Sequence, residues 1–174
     1  MTQVDTQHHA GDFPLDSPQR RRVPPLLRRA WYSLNQAFRR RIRHLGLTPN
    51  QFTILRWLIE KEPRGLTQRR LAQLMASDAN TITSILNRME AKGLIKRTPH
   101  KTDKRALRVV IKPTGRELYH KARPIALELQ GQLLDCLPPE QREPFLEQLA
   151  IVADACQNIL SDAADHGPPN DPNL

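Results

Sequence analysis

Apolar residues recur along this chain at helical spacing in several separate blocks. Leu27, Trp31, Leu34, Phe38, Ile42 and Leu45 are separated by 4, 3, 4, 4 and 3 positions, a single stripe on a helix that Gly46 ends. Thr48-Pro49-Asn50-Gln51 then supplies an N-cap, a proline at the first helical position and a capping-box glutamine. Phe52, Leu55, Leu58 and Ile59 continue this second helix until Pro63 and Gly65 close it. Thr67 caps a short third helix with Leu71, Leu74 and Met75, and Ser77 or Asp78 caps a fourth with Ile82, Ile85, Leu86 and Met89, ended by Gly93. The next two apolar runs, Leu94 to Thr98 and Leu107 to Ile111, read as strands around a polar loop, Pro99 to Ala106.

Helical spacing resumes after Pro113. Leu118, Ala122, Ile125, Leu129, Leu133 and Cys136 repeat the 4, 3, 4, 4, 3 pattern on a helix of over twenty residues, with Pro124 inside it as a source of a kink. Pro138-Pro139 opens a last helix with Phe145, Leu149, Val152, Cys156 and Ile159 on one side and Leu146, Ala153 and Leu160 beside them. Apolar faces this wide, on helices at both chain ends, need a partner. The fold class expected is mainly α (α+β): a winged helix-turn-helix with long N- and C-terminal dimerisation helices. It divides into a disordered basic arm (1–24), an N-terminal dimerisation helix (25–46), the winged helix-turn-helix (47–112), C-terminal dimerisation helices (113–163) and a disordered tail (164–174).

Charge sharpens this division. Twelve of the chain's 27 Lys and Arg lie between Arg64 and Lys112 against three acidic residues, a net +9 that equals the charge of the whole protein. The flanks cancel, +6 before and −6 after. A basic middle favours a polyanionic partner, and double-stranded DNA is the one a winged helix addresses. No apolar run approaches the ~20 residues of a membrane span, and the first residues lack the charged and apolar regions of a signal peptide, so a soluble, cytoplasmic protein without membrane partners is expected.

In a winged helix the second helix of the pair enters the major groove. Facing away from its core stripe are Asn80, Thr81, Thr83, Ser84, Asn87 and Arg88, with Ser77 and Asp78 at its front. Asn suits adenine and Arg suits guanine. The hairpin adds Arg97, Lys101, Asp103, Lys104 and Arg105: an arginine at the tip is slim enough for a narrow minor groove, and Asp103 serves to aim Arg105 or Arg108.

With these residues in view, 47–115 resembles the MarR family of winged-helix regulators. The phrases that carry the likeness are Leu47-Thr48-Pro49-Asn50-Gln51-Phe52, Leu71-Ala72-Gln73-Leu74-Met75, Asn87 to Ile95, Asp103-Lys104-Arg105 and Pro113-Thr114-Gly115-Arg116-Glu117-Leu118. With its helical flanks the likeness covers about 26 to 163. It implies a homodimer with interlocked end helices on a pseudo-palindromic operator, a repressor released by a small anionic or aromatic effector. Trp31, Phe38, Arg56 and Trp57, with His44, are the residues weighed for an effector pocket, against plain core or surface roles. Lys112 stands where the family usually has a capping threonine, so the long helix is expected to start weakly or at Thr114.

Catalysis finds no foothold. There is no nucleotide-binding glycine loop, no GxSxG elbow and no Cys/His pair in a supporting context, so no enzyme activity, cofactor or metal is expected. Cys136 and Cys156 fall on apolar stripes, where a buried thiol without a cationic neighbour is inert. Two other readings stay open: a winged-helix protein-interaction module, and a nonspecific architectural DNA binder.

Overall fold

The computed structural model describes residues 22–60, 65–99 and 107–165, with backbone alone at 161 and 163–165. Helix α1 (Val23–Ile42) passes into a 3-10 turn, Arg43–Leu45, and Gly46 takes the left-handed conformation (φ 66°) that stops it. Then come α2 (Pro49–Glu60), β1 (Leu66–Thr67), α3 (Gln68–Leu74), α4 (Ala79–Ala91), β2 (Ile95–Pro99), β3 (Leu107–Ile111), α5 (Pro113–Leu134) and α6 (Pro139–Asp165). The chain is mainly α with a three-stranded antiparallel sheet in the order β1-β3-β2. It is a winged helix-turn-helix.

The starts and stops follow the local chemistry. Thr48 and Gln51 form the reciprocal capping box, Gln51 N donating to Thr48 Oγ1 at 3.3 Å and Thr48 N to Gln51 Oε1 at 3.1 Å. Thr67 accepts from Arg70 N at 3.2 Å, and at α4 the cap is Asp78 rather than Ser77, its Oδ1 accepting from Thr81 N at 2.8 Å. Gly93 (φ 68°) ends α4, with Leu94 N bonded to Met89 O at 3.0 Å.

Two compact units are present. In the first, up to Ala126, Ile42, Ile54, Leu55, Leu58, Leu71, Ile82, Leu86, Met89 and Val109 are fully buried. Every apolar position expected for α4 is in this core. An aromatic series joins α1, α2 and α5: Phe38 meets Phe52 edge-on at 5.0 Å, and Phe52 stacks on Tyr119 at 5.3 Å. In the second unit, from Leu127 on, Arg142 spans the α5–α6 turn, 3.1 Å from Asp135 and 3.2 Å from the Leu137 carbonyl. Its apolar side chains are largely uncovered, among them Ile151, Ile159 and Leu160 at 68–70% exposure.

Several expectations need correction. Strand β1 was not expected; two residues carry no period, and Leu66 and Thr67 are strand only because they pair with Val109 and Arg108. Strand β2 begins at Ile95, since Leu94 is occupied as the α4 stop. Helix α1 begins at Val23 inside the expected arm, the prolines at 24 and 25 fitting its first turn, and α6 runs on to Asp165. Helix α5 starts at Pro113, not Thr114. Lys112 needs no side-chain cap for this, because its carbonyl accepts from Arg116 N at 3.0 Å while its own N–H is used by Leu94 O at 2.9 Å. On α5 it is Tyr119 that is buried, while Leu118 is only half-buried. Cys136 and Cys156 are both exposed in the single chain, so burial does not account for inertness. The expected arm up to 21, the wing tip 100–106 and the tail from 166 lie outside the described residues.

Candidate nucleic-acid interface

The polar side of α4 is built by subtraction. Burial of Ile82, Ile85, Leu86 and Met89 leaves Asn80, Thr81, Ser84, Asn87 and Arg88 exposed on the other side. Thr83 is half-buried and engaged: its hydroxyl accepts from Gln68 Nε2 at 2.6 Å and donates to Ala79 O at 2.7 Å, which fixes α3 against α4. Thr81 donates its hydroxyl to Asp78 Oδ2 at 2.6 Å. This bond first, then the bond from Thr81 N, holds the Asp78 carboxyl below its usual range. The side chains of Asn80, Ser84 and Arg88 enter none of these bonds.

Of the predicted wing residues, only Arg97 is among those described; Lys101, Asp103, Lys104 and Arg105 lie outside them. Arg97, expected as a DNA-binding residue of the wing, turns inward. One guanidinium nitrogen donates to Asn87 Oδ1 at 2.6 Å, another lies 3.8 Å from Glu90 Oε2, and the Arg97 backbone N–H donates to Glu90 Oε1 at 2.9 Å. The side chain is only 18% exposed. The Asn87–Arg97–Glu90 cluster therefore clamps β2 to α4. Sequence reading missed it, although Glu90 followed by Arg97 across the three-residue turn 92–94 places opposite charges within reach. Lys92 is likewise engaged, donating to Gly46 O at 2.8 Å.

The four residues weighed for an effector pocket do not come together. Phe38 is in the aromatic core, held there by the helical period that also buries Ile42. Arg56 bonds Glu60 at 2.8 Å on α2 and lies 6.0 Å from the ring centroid of Trp57. Trp31 lines a cavity of about 340 Å³ with Asn35 and Arg39 of α1, Asn50 of α2 and Arg88 of α4, and the other three do not line it. His44 is exposed in the 3-10 turn.

A second polar joint ties α2 to α5. Tyr119 donates to Glu60 Oε1 at 3.0 Å, within the reach of Arg56 and Arg123. The Arg56 hydrogen bond foremost, partly offset by burial, lowers the Glu60 carboxyl from its ordinary value; burial foremost, then the bond to Glu60, raises the Tyr119 phenol. Among the described residues no cluster of His, Cys, Asp and Glu has the makings of a metal site, and no helix is long and apolar enough to cross a membrane.

Comparison with known proteins agrees with this architecture. The MarR family profile matches residues 45–106. The regulator TtmR of Methylorubrum extorquens is 27% identical over 135 residues, 72% of this chain, and the match spans 62% of TtmR's length. A solved structure of a probable transcriptional regulator from Pseudomonas aeruginosa is 32% identical over 73% of this chain and 93% of its own, with a TM-score of 0.65. BpsR of Bordetella bronchiseptica, whose DNA binding is regulated by 6-hydroxynicotinic acid, is 26% identical over 76% of this chain and 94% of its own, with a TM-score of 0.70. Joined to the capped helix pair and the wing sheet, these likenesses settle the family: the chain belongs to the MarR family of winged-helix transcriptional regulators.

Proposed function

We propose that the protein is a sequence-specific regulator that binds a pseudo-palindromic operator as a homodimer, acting as a repressor that a small anionic or aromatic effector releases. One observation carries the reading: α4 buries its entire apolar stripe and exposes Asn80, Thr81, Ser84, Asn87 and Arg88 beside a basic wing. The recognition helix, with Ser77 and Asp78 at its front, reads bases, while Lys101, Asp103, Lys104 and Arg105 of the wing address the minor groove. Segment 47–112 is then the DNA-binding domain, flanked by dimerisation helices at 25–46 and 113–163. Dimerisation is supported by Leu26, Leu27 and Trp31 of α1 and by Ile151, Ile159 and Leu160 of α6, all exposed in the single chain.

The cavity supports effector release. Trp31 offers a ring face and Arg39 and Arg88 offer cations, a combination suited to an aromatic carboxylate such as the one that regulates BpsR. Arg88 also belongs to the exposed face of α4, so a ligand that pairs with it withdraws it from DNA.

Selection of bound sequences from a random DNA pool, followed by salt titration of the enriched site, tests the reading. A pseudo-palindromic motif bound by a dimer, with affinity falling steeply as salt rises, is expected. Binding that is salt-sensitive but indifferent to sequence favours the architectural reading, and no binding even at low salt favours an interaction module.

A further inference from the structure

We propose that Arg39 of α1 and Arg88 of α4 together hold a phosphate of the DNA backbone at the cavity they line. The inference rests on the DNA-binding reading above and brings α1, so far assigned to dimerisation, into the DNA-binding surface.

Charge points to α1 first. From 17 to 59 the chain carries ten arginines and no acidic residue. Three of them, Arg39, Arg40 and Arg41, lie in the last turn of α1, where cations complement a helix C-terminus, so their number alone makes no site. Direction singles out Arg39. It lines the cavity of about 340 Å³ with Arg88, beside the amides of Asn35, Gln36 and Asn50, and no lining residue is acidic. Arg39, Asn50 and Arg88 are exposed, so the cavity is open to solvent. Among the described residues neither guanidinium has a carboxylate partner. Two cations facing one cavity repel each other until an anion lies between them, and phosphate oxygens match the fork of a guanidinium.

The place of Arg88 on α4 makes that anion a DNA phosphate. Arg88 shares an exposed line with Ser84 and Thr81, four and seven positions before it. A recognition helix contacts base edges through its N-terminal residues. Seven residues further along is about 10 Å on the helix axis, against a major groove roughly 8.5 Å deep. With the first turn of α4 at the bases, Arg88 therefore stands at the margin of the groove, where the phosphates run. Arg88, expected to suit guanine, contributes affinity and register rather than sequence. An effector anion in the same cavity competes with the phosphate for the two cations.

The test compares full-length wild type, Arg39→Gln, Arg88→Gln and Arg40→Gln, each checked for folding by circular dichroism, on the duplex that wild type enriches from a random pool. Arg40 is also exposed on α1 but does not line the cavity, so its loss removes the same charge without the site. Arg39→Gln should lower the slope of log affinity against log salt by about 2 for a dimer, one phosphate contact per subunit, and leave the enriched sequence unchanged. Arg40→Gln should leave the slope as it is. Methylphosphonate substitution, which removes the charge of one phosphate at a time, then locates the contact. At one position in each half-site it should weaken wild type and spare both Arg39→Gln and Arg88→Gln. An unchanged slope in Arg39→Gln, an equal fall in Arg40→Gln, or no phosphate whose effect depends on Arg39 and Arg88 overturns the proposal. A wild type that binds DNA but enriches no sequence overturns the sequence-specific reading alone, and the slopes on a random duplex still decide this one. No binding to DNA at all overturns both.

Discussion

Gly115, in the first turn of α5, packs tightly against α2 and the turn that follows α4. A Cβ built there falls well inside the 3.0 Å limit of real contacts with Leu94 O and 3.1 Å from Leu55 Cδ2. Neither neighbour yields easily: Leu55 is fully buried, and Leu94 is held by its own N–H to Met89 O and by its carbonyl to Lys112 N at 2.9 Å. In Gly115→Ala, helix and turn must therefore separate by roughly 1 Å, an overpacking that costs about 1–3 kcal/mol. Weakening the Lys112–Leu94 bond adds about 1 kcal/mol, and the better helix propensity of alanine returns about 1 kcal/mol. The expected net loss is roughly 1–3 kcal/mol, or a melting temperature lower by about 2–4 °C per kcal/mol. Gly131, on the same helix, has nothing within 4 Å of its built Cβ, so Gly131→Ala keeps the propensity gain without the clash. Thermal unfolding of the two variants beside wild type isolates the contact. A Gly115→Ala melting temperature equal to that of Gly131→Ala would falsify the close-packing argument.

Other outcomes follow from single contacts. Ala76, in the turn between α3 and α4, has φ 45°, a conformation that costs an L-residue roughly 1–2 kcal/mol, so Ala76→Gly should raise stability by about 0.5–1 kcal/mol by urea unfolding. The depressed Glu60 carboxyl contributes stability that is fully present above its unfolded value near 4.5 and is lost as pH falls from there through the lower folded value. Glu60→Gln should flatten that acid limb in urea midpoints measured on either side of this pH; an unchanged limb removes the Arg56–Glu60–Tyr119 joint as its source. Arg105→Ala should weaken operator binding by roughly 5- to 100-fold in gel shifts, well beyond Arg20→Ala, and equal losses would remove the wing assignment.

What could be read in advance divides by the range of the forces involved. Caps and stops are local: Thr48 with Gln51, Thr67, Asp78 and Gly93 act on backbone groups a few residues away, so their positions are readable from sequence. The buried stripe of α4 is readable for the same reason, because a helix carries its period with it. Strand β1 is not, since its two residues become strand only through partners more than forty positions away. The placement of the residues weighed for an effector pocket is set by packing in the same way. Trp31 and Phe38 share one helical stripe, yet α2 covers only the second, leaving Trp31 63% exposed.

The α4 face shows what such reading leaves undecided. Periodicity identifies which side chains point outward but not what they are already bonded to, and recognition depends on the donors and acceptors left over. Thr83 and Asn87 are two of six outward polar residues of α4 assigned from the sequence, and both have an oxygen engaged by the protein itself. The bonds come from Gln68 on α3 and Arg97 on β2, at separations of 15 and 10 residues, beyond helical neighbours and set by how the turn and wing pack. A recognition code read from α4 alone would therefore miss the Arg97 bond that orients the Asn87 amide. How that amide is oriented depends on the strand behind it, so operator affinity should respond to substitutions at Arg97 on β2 as well as to those on α4.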